Sequence, residues 1–521
     1  MKKILTIAIG SALLISSCTK SLLETTPDDR YVQSNFWVSE EAATAALSGA
    51  YSVLASSGLY GGDATPLLEE TATPNAYCYG NTSSWNSIAE GLQSASTGGI
   101  ITDRWGSAYG GIGRCNTFLA NVDKVDMSED LKIRMKGEAH FLRALFYFNL
   151  ENYWGDVPLV LDPPDPATQD TLSRTPRGQV VQQMIKDLDS AAAVLPLHYG
   201  SSDLGRATKG AALALKAKVL FFEASPLFNP DNDVNRWKTA LDALQTVIDM
   251  APDAGYGLYS DYRGLFLPEN ENNKSVIFDV QFIYPLQGNS FDLINRQYNS
   301  NAPLLGLAEA YQMKSGLPIT DPLSGYDPES PYINRDPRLY ATIVYPGDKY
   351  MGTTVTPSRF AITGYGVEKY SIYTEEKPPS DLADLKAGQS YTNYIVLRYA
   401  DILLMYAEAQ NEYAGPDETV YAAINQVRER AGMPDIDEGL SQGDMREAIR
   451  QERRVEFACE GYYYNDIRRW KTAEKVMNAT IYTWDNTPIE TRQFDPAKDY
   501  WWPIPQTELD LDHNLVQNNG Y

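Results

Sequence analysis

Between residues 129 and 152 the apolar side chains fall on two sides of a helix at once. Met135, Ala139, Leu142, Phe146, Asn149 and Tyr153 recur at intervals of three and four, and Phe141, Leu145 and Phe148 make a second row. A helix that is apolar on two sides packs between neighbours. The chain therefore needs a layered helical frame. Further helices are expected over 207–224, where Ala211, Ala214 and Ala217 allow close approach and Pro226 and Pro230 end the run. Another starts at Asn235-Arg236-Trp237 and runs to about Met250. Residues 394–413 and 418–431 read as a helix pair closed by Gly432 and Pro434. Ser39, followed by Glu40 and Glu41, is a fitting cap for the first helix. Ala144-x3-Phe148, Ala217-x3-Phe221 and Trp237-x2-Ala240 fit irregular tetratricopeptide-like pairs. The fold class is thus mainly α, with little strand.

Two regions break the helical pattern. Residues 56–100 are rich in Gly, Ser, Thr and Asn and carry Tyr77, Tyr79 and Trp85, which is loop composition. Residues 256–390 are rich in Gly, Pro, Asn and Tyr, with a weak strand pattern over 275–282. Long loops on a rigid frame are usually functional. The expected division is an N-terminal helical region over 36–255, a loop-rich insertion over 256–390 and a C-terminal helical region over 391–521. All of 36–521 is expected to form one structural unit.

The N-terminus reads as an export signal. Lys2 and Lys3 precede an apolar run from Ile4 to Ile15, and Ser16 and Ser17 lead to Cys18. That run is shorter than the ~20 residues a membrane span needs. Ile15-Ser16-Ser17-Cys18 fits a lipoprotein cleavage site, so 1–17 is the expected signal peptide. Residues 18–35 are then a tether lipidated at Cys18. Loss of Lys2 and Lys3 takes the net charge from -24 to -26. Such a surface repels nucleic acid at long range. With Cys18 lipidated, Cys78, Cys115 and Cys459 remain, an odd number with no CxxC spacing. A disulfide scaffold and a zinc site are both excluded on that pattern.

Signs of catalysis are sparse. The histidines are His140, His198 and His513, none in a metal-binding spacing, and no nucleophile elbow, P-loop or dinucleotide fingerprint is present. Glu69 and Glu70 are the best carboxylate pair, but adjacent residues point different ways. Asp231, Asp233 and Asn235 read as a helix-capping turn, because Arg236 stands where a calcium loop needs Gly. Arg446, Arg450 and Arg454 form one ridge and Glu452, Glu456 and Glu460 the next, with cross pairs such as Arg453 to Glu456 expected in a structural ion network. No cofactor, metal or catalytic residue is expected.

Several motifs together resemble the SusD/RagB family of outer-membrane nutrient-binding lipoproteins. They are Cys18 with its signal; Trp105-Gly106-Ser107-Ala108-Tyr109-Gly110-Gly111-Ile112-Gly113-Arg114-Cys115-Asn116; Phe141-Leu142-Arg143-Ala144; and Tyr153-Trp154-Gly155-Asp156-Val157-Pro158. Further along stand Asn334-Arg335-Asp336-Pro337-Arg338, Arg398-Tyr399-Ala400-Asp401, Glu452-Arg453-Arg454-Val455-Glu456-Phe457 and Glu460-Gly461. The last are Asp466-Ile467-Arg468-Arg469-Trp470, Pro503-Ile504-Pro505-Gln506 and Gln517-Asn518-Asn519-Gly520-Tyr521. Tyr463 stands where the family often has Arg, and His513 and Asn519 interrupt its usual Asn-Pro and Asn-Pro-Gly-Tyr endings. The resemblance implies a tetratricopeptide-like frame with a loop-rich ligand face. It also implies a lid on a SusC-like TonB-dependent transporter, with the protein lipid-anchored in the outer membrane and exposed at the cell surface.

The ligand face follows from sugar chemistry. Sugars stack C–H faces on Tyr or Trp rings and hydrogen-bond to Asn, Asp or Arg. Asn75, Tyr77, Tyr79, Asn81 and Trp85 offer those types close together, and Tyr284, Phe291 and Tyr298 are the next candidates. Trp105, Trp154, Trp470, Trp501 and Trp502 belong to family-like motifs and are assigned to the core. The expected function is non-catalytic capture of an oligosaccharide for delivery to the transporter. The alternatives are a receptor of the same design for peptides or another nutrient, and a surface glycoside hydrolase.

Overall fold

The computed structural model describes residues 36–62 and 65–521. Cys18, the signal and the expected tether over 18–35 lie outside the described residues. The frame begins with α1 (Glu40–Ser52), α2 (Ile100–Asn121) and α3 (Glu129–Trp154). It continues with α4 (Arg177–Val194), α5 (Lys209–Ala224) and α6 (Val234–Ala254). The C-terminal part adds α7 (Tyr399–Ala414), α8 (Glu418–Arg430) and α9 (Gln442–Glu456). The fold is mainly α.

Local chemistry sets the helix starts. Ser39 Oγ accepts from Ala42 N at 3.3 Å, Thr208 Oγ1 from Ala211 N at 3.1 Å, and Asp233 Oδ1 from Asn235 N at 3.0 Å. Asp417 Oδ1 accepts from Thr419 N and Val420 N. Each cap satisfies a backbone donor that the helix leaves orphaned. The capping turn expected at Asp233 is therefore present.

Packing runs from helix to helix. α3 contacts α2 on one side and α4 on the other, and α4, α5, α6, α7 and α8 each pack on the next. This is why α3 needs two apolar rows. Gly111 of α2 makes the contact close, since a Cβ there would lie 2.4 Å from the Phe146 ring. Arg143 ties α3 to α4 through Asp187, with Nε to Oδ2 at 2.8 Å and Nη2 to Oδ1 at 2.7 Å. Trp105, Trp154, Trp470 and Trp502 are buried, whereas Trp501 is half-buried.

Strands are short. β1 (Ala76–Tyr77), β2 (Val276–Val280), β3 (Ala302–Pro303), β4 (Tyr394–Arg398), β5 (Thr480–Tyr482) and β6 (Pro488–Thr491) pair antiparallel as β1 with β3, β2 with β4, and β5 with β6. Two expectations need correction. Residues 394–398 form β4 and not the first turn of α7. The run Tyr-Ile-Val-Leu-Arg is buried at every position and pairs with β2, so its branched side chains fill a sheet. Residues 56–100 contain short helical turns over 65–72 and 85–89, whose side chains are largely buried, with an irregular turn over 79–84 between them.

The ion network also differs in its partners. Glu456 binds Arg338 at 3.0 Å and Arg398 at 2.7 Å, and Glu460 binds Arg398 at 2.8 Å and Lys369 at 2.6 Å. Glu452 takes Arg338 at 2.5 Å and Arg428 at 2.8 Å. The expected Arg453–Glu456 cross pair is absent; Arg453 instead meets Asp401 at 2.9 Å and Asp466 at 3.0 Å. Cations from other elements already fill both oxygens of Glu456. These cations hold its carboxyl well below the ordinary range, overcoming the opposing effect of burial. The Arg-Tyr-Ala-Asp and Arg-Asp-Pro-Arg motifs thus meet in one buried network.

Candidate ligand-binding face

β1 places Tyr77 opposite Ala302 and Ala76 opposite Pro303 of β3, which joins the 75–85 loop to the end of the 294–303 segment at these two pairs. Arg492 holds the join. Its Nη2 donates to Ala76 O at 3.1 Å, its Nη1 donates to Thr73 O, and its Nε meets Glu490 Oε1 at 3.1 Å. Asn75 is locked beneath, with its Oδ1 accepting from Arg454 Nη2 at 2.7 Å and its Nδ2 donating to Glu70 Oε1 at 2.6 Å. Asn81, with φ 52, accepts from Asn86 N at 2.9 Å and so fixes the short helix over 85–89.

Exposure separates the candidate residues. Tyr79 is 53% and Tyr298 50% exposed, and Asn81, in the loop with Tyr79, is also exposed. Tyr77 is half-buried. Three expected ligand residues are corrected. Trp85 is fully buried, with its ring 6.0 Å from Trp502 and Arg104 above it at 5.9 Å. Phe291 is fully buried against Phe282, Tyr370 and Tyr394. Asn75 is fully buried in the clamp just described. A ring or amide with no free surface cannot meet a sugar. Tyr284 is 51% exposed, but it stands on a different turn, closed by Ile283 and Gln287.

The structure adds residues that sequence reading missed. Glu90 and Glu490 flank Tyr77. Burial first, then the facing Glu490, raises the Glu90 carboxyl above its ordinary range, while Arg492 opposes the shift. Burial and the two glutamates likewise raise the Tyr77 phenol. Trp484, half-buried at the tip between β5 and β6, donates its backbone N–H to Thr363 O at 2.8 Å. Its indole lies where a Cβ on Gly364 would come within 2.0 Å of Cδ1. Asn301, beside β3, buries both side-chain polar atoms without a hydrogen-bond partner among the described residues. Nothing local in the sequence joins Glu90 and Glu490 to Tyr77; the contact of Arg492 with Ala76 and Glu490 does. Asn301 is fully buried and Trp484 packs at Gly364, so the face consists of exposed Tyr79 and Asn81 with half-buried Tyr77 and its two carboxylates, a set suited to hydroxyl-rich ligands.

The carboxylate pair considered for catalysis is in the interior. Glu69 binds Arg104 at 3.1 Å and Asn465 at 2.8 Å, and it also accepts from the Tyr153 hydroxyl. Glu70 serves Asn75. His140 sits on Asp187 at 3.0 Å, and His198 Nε2 meets the Asp253 carbonyl at 2.8 Å. Among the described residues, no group of three or more His, Cys, Asp or Glu is arranged to hold a metal ion. Cys78, Cys115 and Cys459 are buried and free. No described helix is long and apolar enough to cross a membrane.

Comparison with known proteins places these features in a wider set. A family model described as the SusD family matches residues 272–521. A second, described as starch-binding associating with outer membrane, matches residues 22–221. The SusD-like protein P25 of Formosa agariphila is 28% identical over 560 residues, covering 98% of each chain. A SusD-like carbohydrate binding protein of Bacteroides fragilis superposes with a TM-score of 0.80 at 28% identity, over 92% of this chain and 100% of that one. Another SusD-like protein of Bacteroides fragilis has a TM-score of 0.79 at 28% identity, over 95% of this chain and 100% of its own.

Proposed function

The chain belongs to the SusD family, and from that premise we propose that it is a non-catalytic receptor for oligosaccharides, anchored to the outer membrane by lipid at Cys18. It captures its ligand on the face built by Tyr79, Asn81, Tyr77 and Tyr298 and passes it to a SusC-like TonB-dependent transporter. The observation that supports this reading most is the pairing of β1 with β3, with the half-exposed rings of Tyr79 and Tyr298 two and four residues along the chain from the Tyr77–Ala302 pair. A relative at 28% identity whose name gives it as carbohydrate binding supports the ligand class. The net charge of -24 favours neutral glycans over polyanions.

Calorimetry of Tyr79→Ala and Tyr298→Ala against maltohexaose, laminarihexaose and cellohexaose tests the face. Loss of one stacking ring costs ~1–2 kcal/mol, so affinity for the bound glycan should fall about tenfold in each variant. Unchanged affinity in both removes this face from the function. Peptide binding with no glycan signal replaces the ligand class. Delivery requires a large transporter interface, on the order of 2,000 Å2 or more. The intact protein should therefore co-purify from detergent-solubilised outer membranes with a TonB-dependent transporter.

A further inference from the structure

Two adjoining hollows lie away from the residues of the loop face. One, of about 270 Å3, is walled by the end of α1 and by Gln281 and Gln287; the other, of about 330 Å3, by Tyr199, Tyr256 and Asn272. They share Gly205, Arg206 and Asp279 as common lining. Gln281 crosses the boundary, its Nε2 donating to Asn272 Oδ1 at 3.0 Å. Gly205, with φ 84, makes room for it, since a Cβ there would sit 2.5 Å from Gln281 Cδ. Each hollow is at or near the lower end of the size range of small-ligand clefts, about 300–1,000 Å3. Movement of the exposed Gln281 side chain would join them.

The floor holds an under-used acceptor. Asp279 is 4% exposed. Its Oδ2 accepts from Asn393 at 2.9 Å, but among the side chains of the described residues Oδ1 has only Gln281 Nε2, at 3.5 Å. A buried carboxylate oxygen with so weak a partner calls for a further donor. Arg206 is held in place at the shared wall by Glu138 at 3.0 Å and Asp203 at 2.7 Å. Gln287, on the wall of the first hollow, closes the turn that carries Tyr284. Tyr284, half-exposed, stands on that same turn, three residues before Gln287.

We infer that this trench is a second saccharide site, distinct from the loop face, in which a short neutral glycan donates hydroxyls to Asp279 and displaces Gln281, with Tyr284 as its stacking ring. The ligand class rests on the reading above; the site does not. The chemistry is that of sugar recognition in general: one aromatic face, a carboxylate acceptor and amides that turn either way.

The test starts from the Tyr79→Ala/Tyr298→Ala pair, which disables the loop face. Calorimetry with the three hexaoses should show residual binding. Ser52→Trp, an exposed position on the trench wall, should weaken that residual binding at least tenfold, and Asp279→Asn and Tyr284→Ala should each weaken it several-fold. Hydrogen exchange of the full chain should show protection over 272–281 on adding the hexaose, lost in Ser52→Trp with an unchanged melting temperature. Absence of residual binding in the pair overturns the trench and leaves the loop face standing. Residual binding that the trench variants leave unchanged also overturns it. Wild-type binding that survives the pair but falls with Ser52→Trp supports the trench and removes the loop face instead.

Discussion

Trp85 and Tyr79 show how far residue type and residue role can part. Both are aromatic side chains in one polar loop, yet Tyr79 is 53% exposed and Trp85 is fully buried. Trp85 is buried because Trp502, from near the other end of the chain, and Arg104, from α2, close over it. Their roles therefore separate on mutation. Trp85→Ala should cost about 3–5 kcal/mol of stability through the cavity it leaves. Trp85→Phe, which still folds, should bind glycan within about twofold of wild type when folded protein is compared. Urea unfolding and calorimetry on the same samples check both; a tenfold affinity loss in Trp85→Phe would restore Trp85 to the ligand site. The types that make a sugar face were thus legible in the chain. Their exposure was not, because burial of Asn75 by Arg454 and of Phe291 by Tyr370 and Tyr394 depends on partners that no local pattern announces.

Among the elements, the helices and the β2 strand over 276–280 were legible, and the other strands were not. The period of α3 and the caps at Ser39 and Asp233 are local signals, and the structure has them within a few residues. The strand β4 was read as helix because a run of four apolar residues, Tyr394 to Leu397, satisfies either pattern, and only β2 decides between them. The element that organises the ligand face, the β5–β6 hairpin, is invisible in the same way. It matters through Arg492, whose guanidinium spans Glu490, Thr73 and Ala76. Arg492→Met removes its donors to two buried carbonyls, Thr73 O and Ala76 O, and leaves Glu490 without that cation. At about 1–3 kcal/mol for each of the two lost charged hydrogen bonds to carbonyls, stability should fall by about 2–6 kcal/mol. The amides of Ala76, Tyr77 and Ala302 should exchange faster, and glycan affinity should fall with them. If exchange quickens uniformly over the whole chain instead, Arg492 supports the core generally and not the ligand face.

At the scale of the molecule, two sets of buried carboxylates pull stability in opposite directions with pH. Asp401 lies near 2 because Lys218 and Arg453 overcome its burial, and Glu408 and Glu456 are depressed by their arginines against the same penalty. Groups whose folded pKa is depressed stabilise fully above their unfolded values, near 4, and lose that contribution as pH falls through the folded ones. Glu70 is the opposite case: burial outweighs Asn75 and its nearby cations and lifts it from 4.5 to about 7. Asp279 and Glu151 are likewise raised by burial, to about 6 and about 7. The folded state binds their protons more tightly than the unfolded chain does. Stability is therefore highest below their unfolded pKa and declines as pH rises through the folded one. The two trends cross near pH 5, where the melting temperature should peak. The alkaline limb has an identifiable contributor. Glu70→Gln keeps the acceptor for Asn75 Nδ2 at 2.6 Å and removes the ionisation. A carboxyl raised from 4.5 to about 7 corresponds to about 3 kcal/mol, so the variant should lose about that much less stability than wild type between pH 5 and pH 8. Denaturant unfolding at the two pH values reads this directly, and an alkaline decline as steep in Glu70→Gln as in wild type would assign the effect to other groups.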